Sequence, residues 1–330
     1  MVKYNKYNGE YGVMNKKIFD YLNRIGDKPF AKNGGVFVED RREIRELRRC
    51  HKGVNRVNFF NYLMGDDLMV VKSNFQDYFT NENIMEFISG KYFNSIGVPS
   101  VEAYPILIEQ MDPVTNKKEM FPSVATHNLL DIPVINVELA IDVVFDYVVG
   151  RDREHCDEWE ILTNKIHKER FLQIMTEDCF NLLVNLFLAD RLGTYKDRHG
   201  YNYFFYRRTP FGKWEGVIAI DNERSRLAET SRLKVSDESK FEHLINGYSN
   251  IFTPLQHIIQ TSHKDSINKI NKLIDDGKMS DSQILTIKRA LAYPYADNMK
   301  KICDNYELDC GKMYDLSARL WEYNQENLIV

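Results

Sequence analysis

Short apolar runs and one longer helical run divide roughly the first 125 residues into five elements. The short runs are rich in β-branched and aromatic residues, which favours strands. They are VNFFNY at 57–62 and DLMVVK at 67–72, joined by a turn at Met64-Gly65-Asp66, and EAYPILIE at 102–109 and EMFPSV at 119–124, joined by a turn at Asp112-Pro113. Between the two pairs, apolar residues recur at helical spacing. The predicted order is therefore β-β-α-β-β.

The predicted helix of this first half runs from Asn81 to Ile96. Thr80 is a candidate N-cap, because its hydroxyl can accept a hydrogen bond from an unpaired amide of the first turn. Gly97, followed by Pro99, is the expected stop signal.

From about residue 136 the pattern becomes helical to the end of the chain, with one predicted interruption. The segment from Phe180 to Leu192 is apolar on nearly all sides, which predicts a buried helix closed by Gly193. The interruption is a loop at Asp197 and a hairpin with strands Tyr203–Tyr206 and Gly216–Ile220, around a turn at 209–212.

These elements predict an α+β chain with two lobes. Residues 1–125 would form a small β-rich N-lobe with one key helix, and residues 126–330 a larger helical C-lobe. A two-lobed protein-kinase-like fold has this layout.

The amino-acid composition excludes some classes of protein but does not identify the function. A hydrophobic content of 43% and a charged content of 28% are ordinary for a globular protein, and a net charge of -4 gives no reason to expect nucleic-acid binding. No signal-peptide core and no apolar run of about 18 residues occurs, so no membrane span is predicted. The five cysteines are scattered without a C-x-x-C motif, which favours a reduced, cytoplasmic protein and leaves delivery to another cell open.

The most informative stretch is Asp197-Arg198-His199-Gly200-Tyr201-Asn202, followed by Asp221-Asn222. An Asp and an Asn five residues apart match a kinase catalytic loop, in which the Asp meets the substrate hydroxyl and the Asn holds a metal ion. Asp221 follows the second hairpin strand, where the metal-binding Asp of D-F-G would stand, although the Phe and Gly are absent.

Lys72 and Glu86 supply a candidate phosphate anchor upstream. Lys72 ends the apolar strand V-V-K, and Glu86 lies fourteen residues later in the predicted helix. A strand lysine held by a helix glutamate is the kinase arrangement that places charge on the α- and β-phosphates. Either residue alone is more simply a solvated charge, but their joint order favours the functional interpretation.

The segments FLADRLGTYKDRHGYNYFF and VIAIDNERS, with LMVVKSN and MEFISGKYFNSIGV upstream, resemble the HipA-like family of bacterial serine/threonine kinases, in particular its CtkA-type branch. The resemblance covers about residues 50–230. It implies a kinase-like fold, ATP with Mg²⁺, and a protein substrate with Ser or Thr. It also implies a role for each matched residue: Lys72 and Glu86 anchor phosphate, Asp197 is catalytic, and Asn202 and Asp221 bind metal.

The expected phosphate loop departs from the kinase pattern. The heptapeptide at 50–56 contains one glycine, Gly53, and no G-x-G-x-x-G occurs in the chain. We therefore expect Gly53, Lys52 and Asn55 to contribute to nucleotide binding, with Lys52 or Arg56 side chains as a hypothetical substitute for glycine-loop amides. Just before it, residues 41–52 carry a local excess of four positive charges, which fits a solvated helix face or an anionic partner.

Several assignments stay open at this level. Ser225, Thr230 and Ser231 follow Asp221 where an activation segment would run, so they are candidates for autophosphorylation or simply loop hydroxyls. His199 could orient the loop, contact phosphate or be a locally bonded structural residue. Two other functions compete with a protein kinase: a phosphoinositide-type lipid kinase, which also uses D-R-H-x-x-N, and an ATP-binding pseudokinase that acts as a binding module.

Overall fold

The computed structural model describes residues 38–39, 58–64, 67–73, 79–111, 115–127, 136–144, 165–254, 258–306 and 308–330. Both predicted turns of the N-terminal half include positions outside these ranges. The chain has α+β architecture, with sheet and helix segregated as the sequence predicts.

The N-terminal half builds a five-stranded antiparallel sheet in the order β1-β2-β3-β5-β4. Its strands are β1 Val38–Glu39, β2 Asn58–Met64, β3 Asp67–Ser73, β4 Ala103–Met111 and β5 Lys118–His127. The four predicted strands are confirmed, with ends shifted by at most three residues. The two-residue β1 was not predicted, and β5 continues two residues beyond the lobe boundary placed at 125.

Helix α1, Asn81–Ile96, has the predicted bounds. Thr80 accepts a hydrogen bond from the Asn83 amide at 3.4 Å, and the Asn83 side chain accepts one from the Thr80 amide at 3.0 Å, which forms a complete capping box. Gly97 ends the helix with φ 92°, a left-handed conformation that glycine adopts without steric cost.

Helix α1 is buried on nearly all sides because it lies between the sheet and the helical lobe. A Cβ atom on Gly90 would lie 2.4 Å from the carbonyl oxygen of Val101, so the chain entering β4 passes directly over the helix. On the other side the fully buried Tyr92 donates a hydrogen bond to the carbonyl of Ala189. The helix that carries Glu86 is thus fixed to both halves of the molecule.

The C-terminal half is mostly helical. Its helices are α2 Ala140–Val144, α3 Lys165–Ile174, α4 Glu177–Leu192, α5 Arg226–Ser231, α6 Asp237–Asn246, α7 His263–Asp275, α8 Asp281–Ala292, α9 Tyr295–Tyr306 and α10 Gly311–Asn327. Helix α4 forms the centre of the core, as predicted, but it begins three residues early because Thr176 caps it through the Cys179 amide. Gly193 follows α4 with φ -86°, and the left-handed residue is Thr194, φ 61°.

The prediction of a single interruption in this half was wrong. The expected hairpin is present as β7 Tyr203–Arg207 and β8 Gly216–Ala219, but β6 Asn136–Leu139 adds a third strand beside β7. A second hairpin is formed by β9 Ser249–Phe252 and β10 Ile258–Thr261. Four-residue strands are too short for their period to be separated from that of a helix. In the part of the chain described, no helix combines the length and apolarity needed to span a membrane.

Candidate active site

Lys72 lies at the centre of an acidic cluster between the two lobes. Its ammonium is 3.1 and 3.3 Å from the two carboxylate oxygens of Glu86, which joins β3 to α1. It also lies 2.5 Å from Oδ1 of Asp221 and 3.0 Å from Oε2 of Glu223, both just after β8. The structure therefore brings together the two predicted upstream residues, the predicted Asp221, and Glu223, which sequence reasoning missed.

Burial and the neighbouring opposite charges shift the pKa values of Lys72 and Glu86 in opposite directions. Burial disfavours the ammonium of Lys72, but Asp221, Glu223 and Glu86 outweigh it and raise the Lys72 pKa well above its ordinary value. Burial raises the pKa of Glu86 to about 8; the Lys72 charge lowers it, and Asp221 and Glu223 raise it further. One positive charge thus faces three carboxyl groups.

Asp221 adopts a left-handed backbone conformation, with φ 51°. Such a conformation is uncommon for a residue with a Cβ atom and persists where the surroundings impose it, often at functional sites. Here the β8 strand ends at Ala219, and the turn aims the carboxylate back at Lys72.

The loop that carries Asp197 is held by backbone hydrogen bonds on two sides. Phe252 of β9 donates to the carbonyl of Lys196 at 2.8 Å and accepts from the amide of Arg198 at 3.3 Å. On the other side the Lys196 amide donates to the carbonyl of Arg224 at 3.2 Å. The Asp197 side chain keeps 15% of its surface exposed, with Arg224 Nη1 3.5 Å from Oδ2. A carboxylate on a fixed loop, open to solvent, can meet an incoming hydroxyl.

Arg198 connects this loop to the helical core and to the Asp221 segment. It is 2% exposed and donates two hydrogen bonds to the fully buried Asp190 of α4, at 2.9 and 3.0 Å. Its remaining bonds go to the carbonyls of Asn202 and Ile220, at 2.8 and 3.0 Å, and to Oδ1 of Asn222 at 2.5 Å. Sequence reasoning missed Asp190 and treated Arg198 only as a flanking residue.

Asn202 lies beside the segment that leads to Asp221. Its carbonyl accepts from the Ile220 amide at 3.0 Å, and its side-chain amide donates to the carbonyl of Asp197 at 2.6 Å. The second bond uses the NH₂ group, so the side-chain oxygen is the atom available for a cation. Asn202 therefore joins the backbone at Asp197 to the backbone at Ile220, one residue before Asp221.

His199 has the local contacts of a structural residue. Its Nδ1 accepts from the Tyr201 amide at 3.3 Å, whereas its Nε2 is 3.7 Å from Asp197 Oδ1, too far for a hydrogen bond. Burial lowers the His199 pKa, partly offset by Asp197 and Asp221. These contacts favour the structural interpretation over phosphate binding.

The fold of the chain is similar to that of solved structures, one of which matches over nearly its full length. It is the proinflammatory kinase CtkA of Helicobacter pylori, with 13% sequence identity and a TM-score of 0.53, covering 88% of this chain and 93% of that one. The chain has a kinase-like fold. At this identity the likeness establishes the fold and nothing finer. No protein-family profile and no curated protein sequence matches the chain.

The oxygen donors of the cluster around Lys72 fit a divalent cation. Carboxylate oxygens of Glu86, Asp221 and Glu223 lie within 4.8 Å of one another, and Asn202, whose backbone carbonyl is bonded to the Ile220 amide, carries an amide oxygen. Oxygen ligands with carboxylate charge are those that Mg²⁺ prefers. The predicted metal pair Asn202 and Asp221 thus has acceptable chemistry, with Glu223 as an additional carboxylate.

The remaining predicted residues fall into two groups. Gly53, Lys52, Asn55 and the 41–52 segment lie outside the described residues. Ser225, Thr230 and Ser231 are 0%, 3% and 6% exposed, so the structure does not present them as phosphate acceptors. The Ser225 hydroxyl caps α5 through the Ala228 amide, and Ser231 donates back to the Ala228 carbonyl. They were predicted to lie in a loop, whereas Ser225 caps α5 and Thr230 and Ser231 lie within it, because a polar sequence does not distinguish a solvated loop from a capped helix.

Proposed function

We propose that this protein is an ATP-dependent serine/threonine protein kinase of the atypical, HipA-like kind. The observation that carries the proposal is the Lys72 ammonium, bonded to Glu86 on one side and to Asp221 on the other. A lysine held by the α1 glutamate and aimed at the carboxylate after β8 is the constellation on which phosphoryl transfer depends. Its occurrence in a kinase-like fold supports the proposal beyond sequence order alone.

The two lobes would have different functions in phosphoryl transfer. The sheet of residues 1–125, with Gly53, Lys52 and Asn55, would cover the nucleotide phosphates, while the lobe from 126 onward would carry the loop and the metal ligands. Asn202 and Asp221 would hold Mg²⁺, and Glu86 would keep Lys72 extended toward the triphosphate. Bound Mg²⁺–ATP would supply the transferable phosphoryl group and neutralise its charge.

Asp197 would orient the substrate hydroxyl and accept its proton as the hydroxyl oxygen bonds to the γ-phosphorus; the bond from that phosphorus to the β,γ-bridging oxygen would break, and ADP would leave. Its carboxylate is held by a loop bonded on two sides, so little reorganisation is required when the substrate arrives. Arg198 does not reach the substrate in this scheme. It positions the loop by joining it to α4 and to the segment after β8.

Intact-mass measurement after incubation with Mg²⁺–ATP and candidate protein substrates tests the proposal. We expect Asp197→Asn to lower phosphate transfer by about 10²- to 10⁴-fold, the range for loss of a general base. Nucleotide affinity, measured with a fluorescent ADP analogue, should stay nearly constant. Asp315→Asn, at an exposed position of α10, is the matched control and should transfer normally.

Full transfer by Asp197→Asn would show that the assignment of the base is wrong. A wild-type protein that binds Mg²⁺–ATP but transfers no phosphate to itself, to proteins or to phosphoinositide vesicles would instead be a pseudokinase. Transfer to vesicles alone would identify a lipid kinase.

A further inference from the structure

A small cavity lies beside Thr194 and Tyr195, in the segment between α4 and Asp197. Thr194 of this segment, Arg191 at the end of α4 and Arg226 at the start of α5 form part of its wall, and Ser262, His263 and Ser266 close it from α7. The room among these groups suits one particle the size of a water molecule.

The wall of this cavity holds polar groups without partners. Arg226 is 5% exposed; its Nη2 donates to the carbonyl of His243 at 2.8 Å, while its Nη1 has no hydrogen-bond partner among the described residues. Thr194 is 4% exposed, and its hydroxyl also lacks a partner in the described part of the chain. Leaving a buried donor unsatisfied is destabilising, so such groups normally mark a bound ligand or water.

The charge of the side chains around the cavity indicates whether a water molecule or a charged ligand would occupy it. The Arg191 guanidinium, 2% exposed, lines the same cavity as Arg226. The lining carboxylate, Asp190, has both oxygens bonded to Arg198. Glu229 acts on Arg226 but is half exposed and pairs with Lys196. The cavity therefore has an excess of positive charge.

The titration behaviour of neighbouring groups agrees with that excess. Burial lowers the Arg226 pKa to about 10, with Glu229 opposing the shift and Arg191 adding to it. Burial also lowers the pKa of His263 to about 4, and Arg226 and Arg191 contribute in the same direction. A neutral imidazole and two guanidinium groups give the cavity donors and positive potential.

We propose that this cavity binds one small inorganic anion of chloride size, held by Arg226 and the Thr194 hydroxyl beside Arg191. A neutral water would satisfy the donors but leave the charge uncompensated, whereas phosphate or sulfate exceeds the available room. The anion would connect two segments that flank the candidate active site, since Thr194 lies three residues before Asp197 and Arg226 five residues after Asp221. These segments already meet through the Arg226 amide, which donates to the Thr194 carbonyl at 3.0 Å.

Thermal unfolding of the full chain in sodium chloride and in sodium gluconate, at equal ionic strength and pH 7.5, tests the proposal. A ligand that binds only the folded state raises Tm, and we expect chloride to raise it by about 2–4 °C over gluconate. Arg226→Met and Thr194→Val should each abolish or strongly reduce this difference, whatever their effect on baseline stability. Arg319→Met, at a partly exposed arginine of α10 that pairs with Glu238, is the control and should retain it.

Bromide provides a direct readout on the wild-type protein. A crystal soaked in sodium bromide should show one anomalous peak within about 3.5 Å of Arg226 Nη1, at the distance of a charge-assisted contact. The absence of that peak would overturn the proposal even where the variants fail to fold. Equal Tm values in the two salts, or a difference that persists in both cavity variants, would also overturn it.

Discussion

The most demanding prediction concerns Arg198, because it joins the loop that carries Asp197 to the core. Replacing it by Met would leave the fully buried carboxylate of Asp190 without its two hydrogen bonds, which are 2.9 and 3.0 Å long. Removing one partner of a buried pair costs about 3–5 kcal/mol, most of it from the uncompensated charge that remains. Total stability is about 5–15 kcal/mol, so the variant should remain folded only marginally.

The pairwise part of this cost can be isolated with a double-mutant cycle. Asp190→Leu alone leaves the Arg198 guanidinium buried without a counter-charge, so it should also lose about 3–5 kcal/mol. The double variant Asp190→Leu/Arg198→Met contains neither charge. We expect its loss of stability to be at least about 2 kcal/mol smaller than the sum of the losses of the two single variants. Arg198→Lys should recover little, because an ammonium cannot reproduce the planar fork that reaches Asp190, Asn202 and Ile220.

Urea unfolding followed by tryptophan fluorescence measures these differences through the transition midpoint at unchanged slope. The exposed pair Arg208 and Glu215, at 2.7 Å, is the control and should contribute at most about 1 kcal/mol. Additive losses for Asp190 and Arg198, within about 0.5 kcal/mol, would refute the reasoning, because independent sites add within that margin.

Two further predictions concern packing and pH. Gly90→Ala places a Cβ atom 2.4 Å from the Val101 carbonyl oxygen, and the clash should outweigh the better helix propensity of alanine, with a net loss of about 1–3 kcal/mol in thermal unfolding. Gly277→Ala, where a Cβ meets nothing within 4 Å but φ is 63°, is the control for backbone strain alone; a more stable Gly90→Ala would contradict the packing argument. Burial lowers the His263 pKa to about 4 in the folded chain, compared with about 6.5 in the unfolded chain. Between these two pH values only the unfolded chain binds the proton, so the free energy of unfolding should fall by up to about 3 kcal/mol as the pH drops from 6.5 to 4. His263→Gln should flatten the urea midpoint across that window; parallel curves for variant and wild type would show that other groups cause the loss.

The features that the sequence predicts well are those with local signals. Helix α1 was placed to the residue because Thr80 and Gly97 act on backbone groups within four positions of themselves. The association of Lys72 with Glu86 was also within reach, because a strand followed by a helix restricts where the two side chains can point. Periodicity and capping are properties of a short segment, so they can be recognised without knowing how the rest of the chain folds.

The features that the sequence hid depend on contacts between distant segments. From the sequence, Asp190 is an unexplained charge in an apolar helix and Arg198 is a charged residue in a loop. In the structure they form a buried ion pair, so each neutralises the charge of the other. Glu223 looks like an ordinary surface residue until β8 and β3 bring it to Lys72, 151 positions away. Pairings of this kind carry no period, so only the folded chain reveals them.

Charge balance links the candidate active site to its proposed cofactor. Three carboxyl groups, Glu86, Asp221 and Glu223, surround the single ammonium of Lys72, and they lie within 4.8 Å of one another. Like charges at such distances repel by several kcal/mol at the effective dielectric constant of about 20 that suits protein sites. A divalent cation held by Asp221 would offset this repulsion and replace the Lys72–Asp221 contact, while Glu86 would keep Lys72 directed toward a triphosphate. Asp221 would therefore both attract the metal and, before it binds, help to hold the lysine in place.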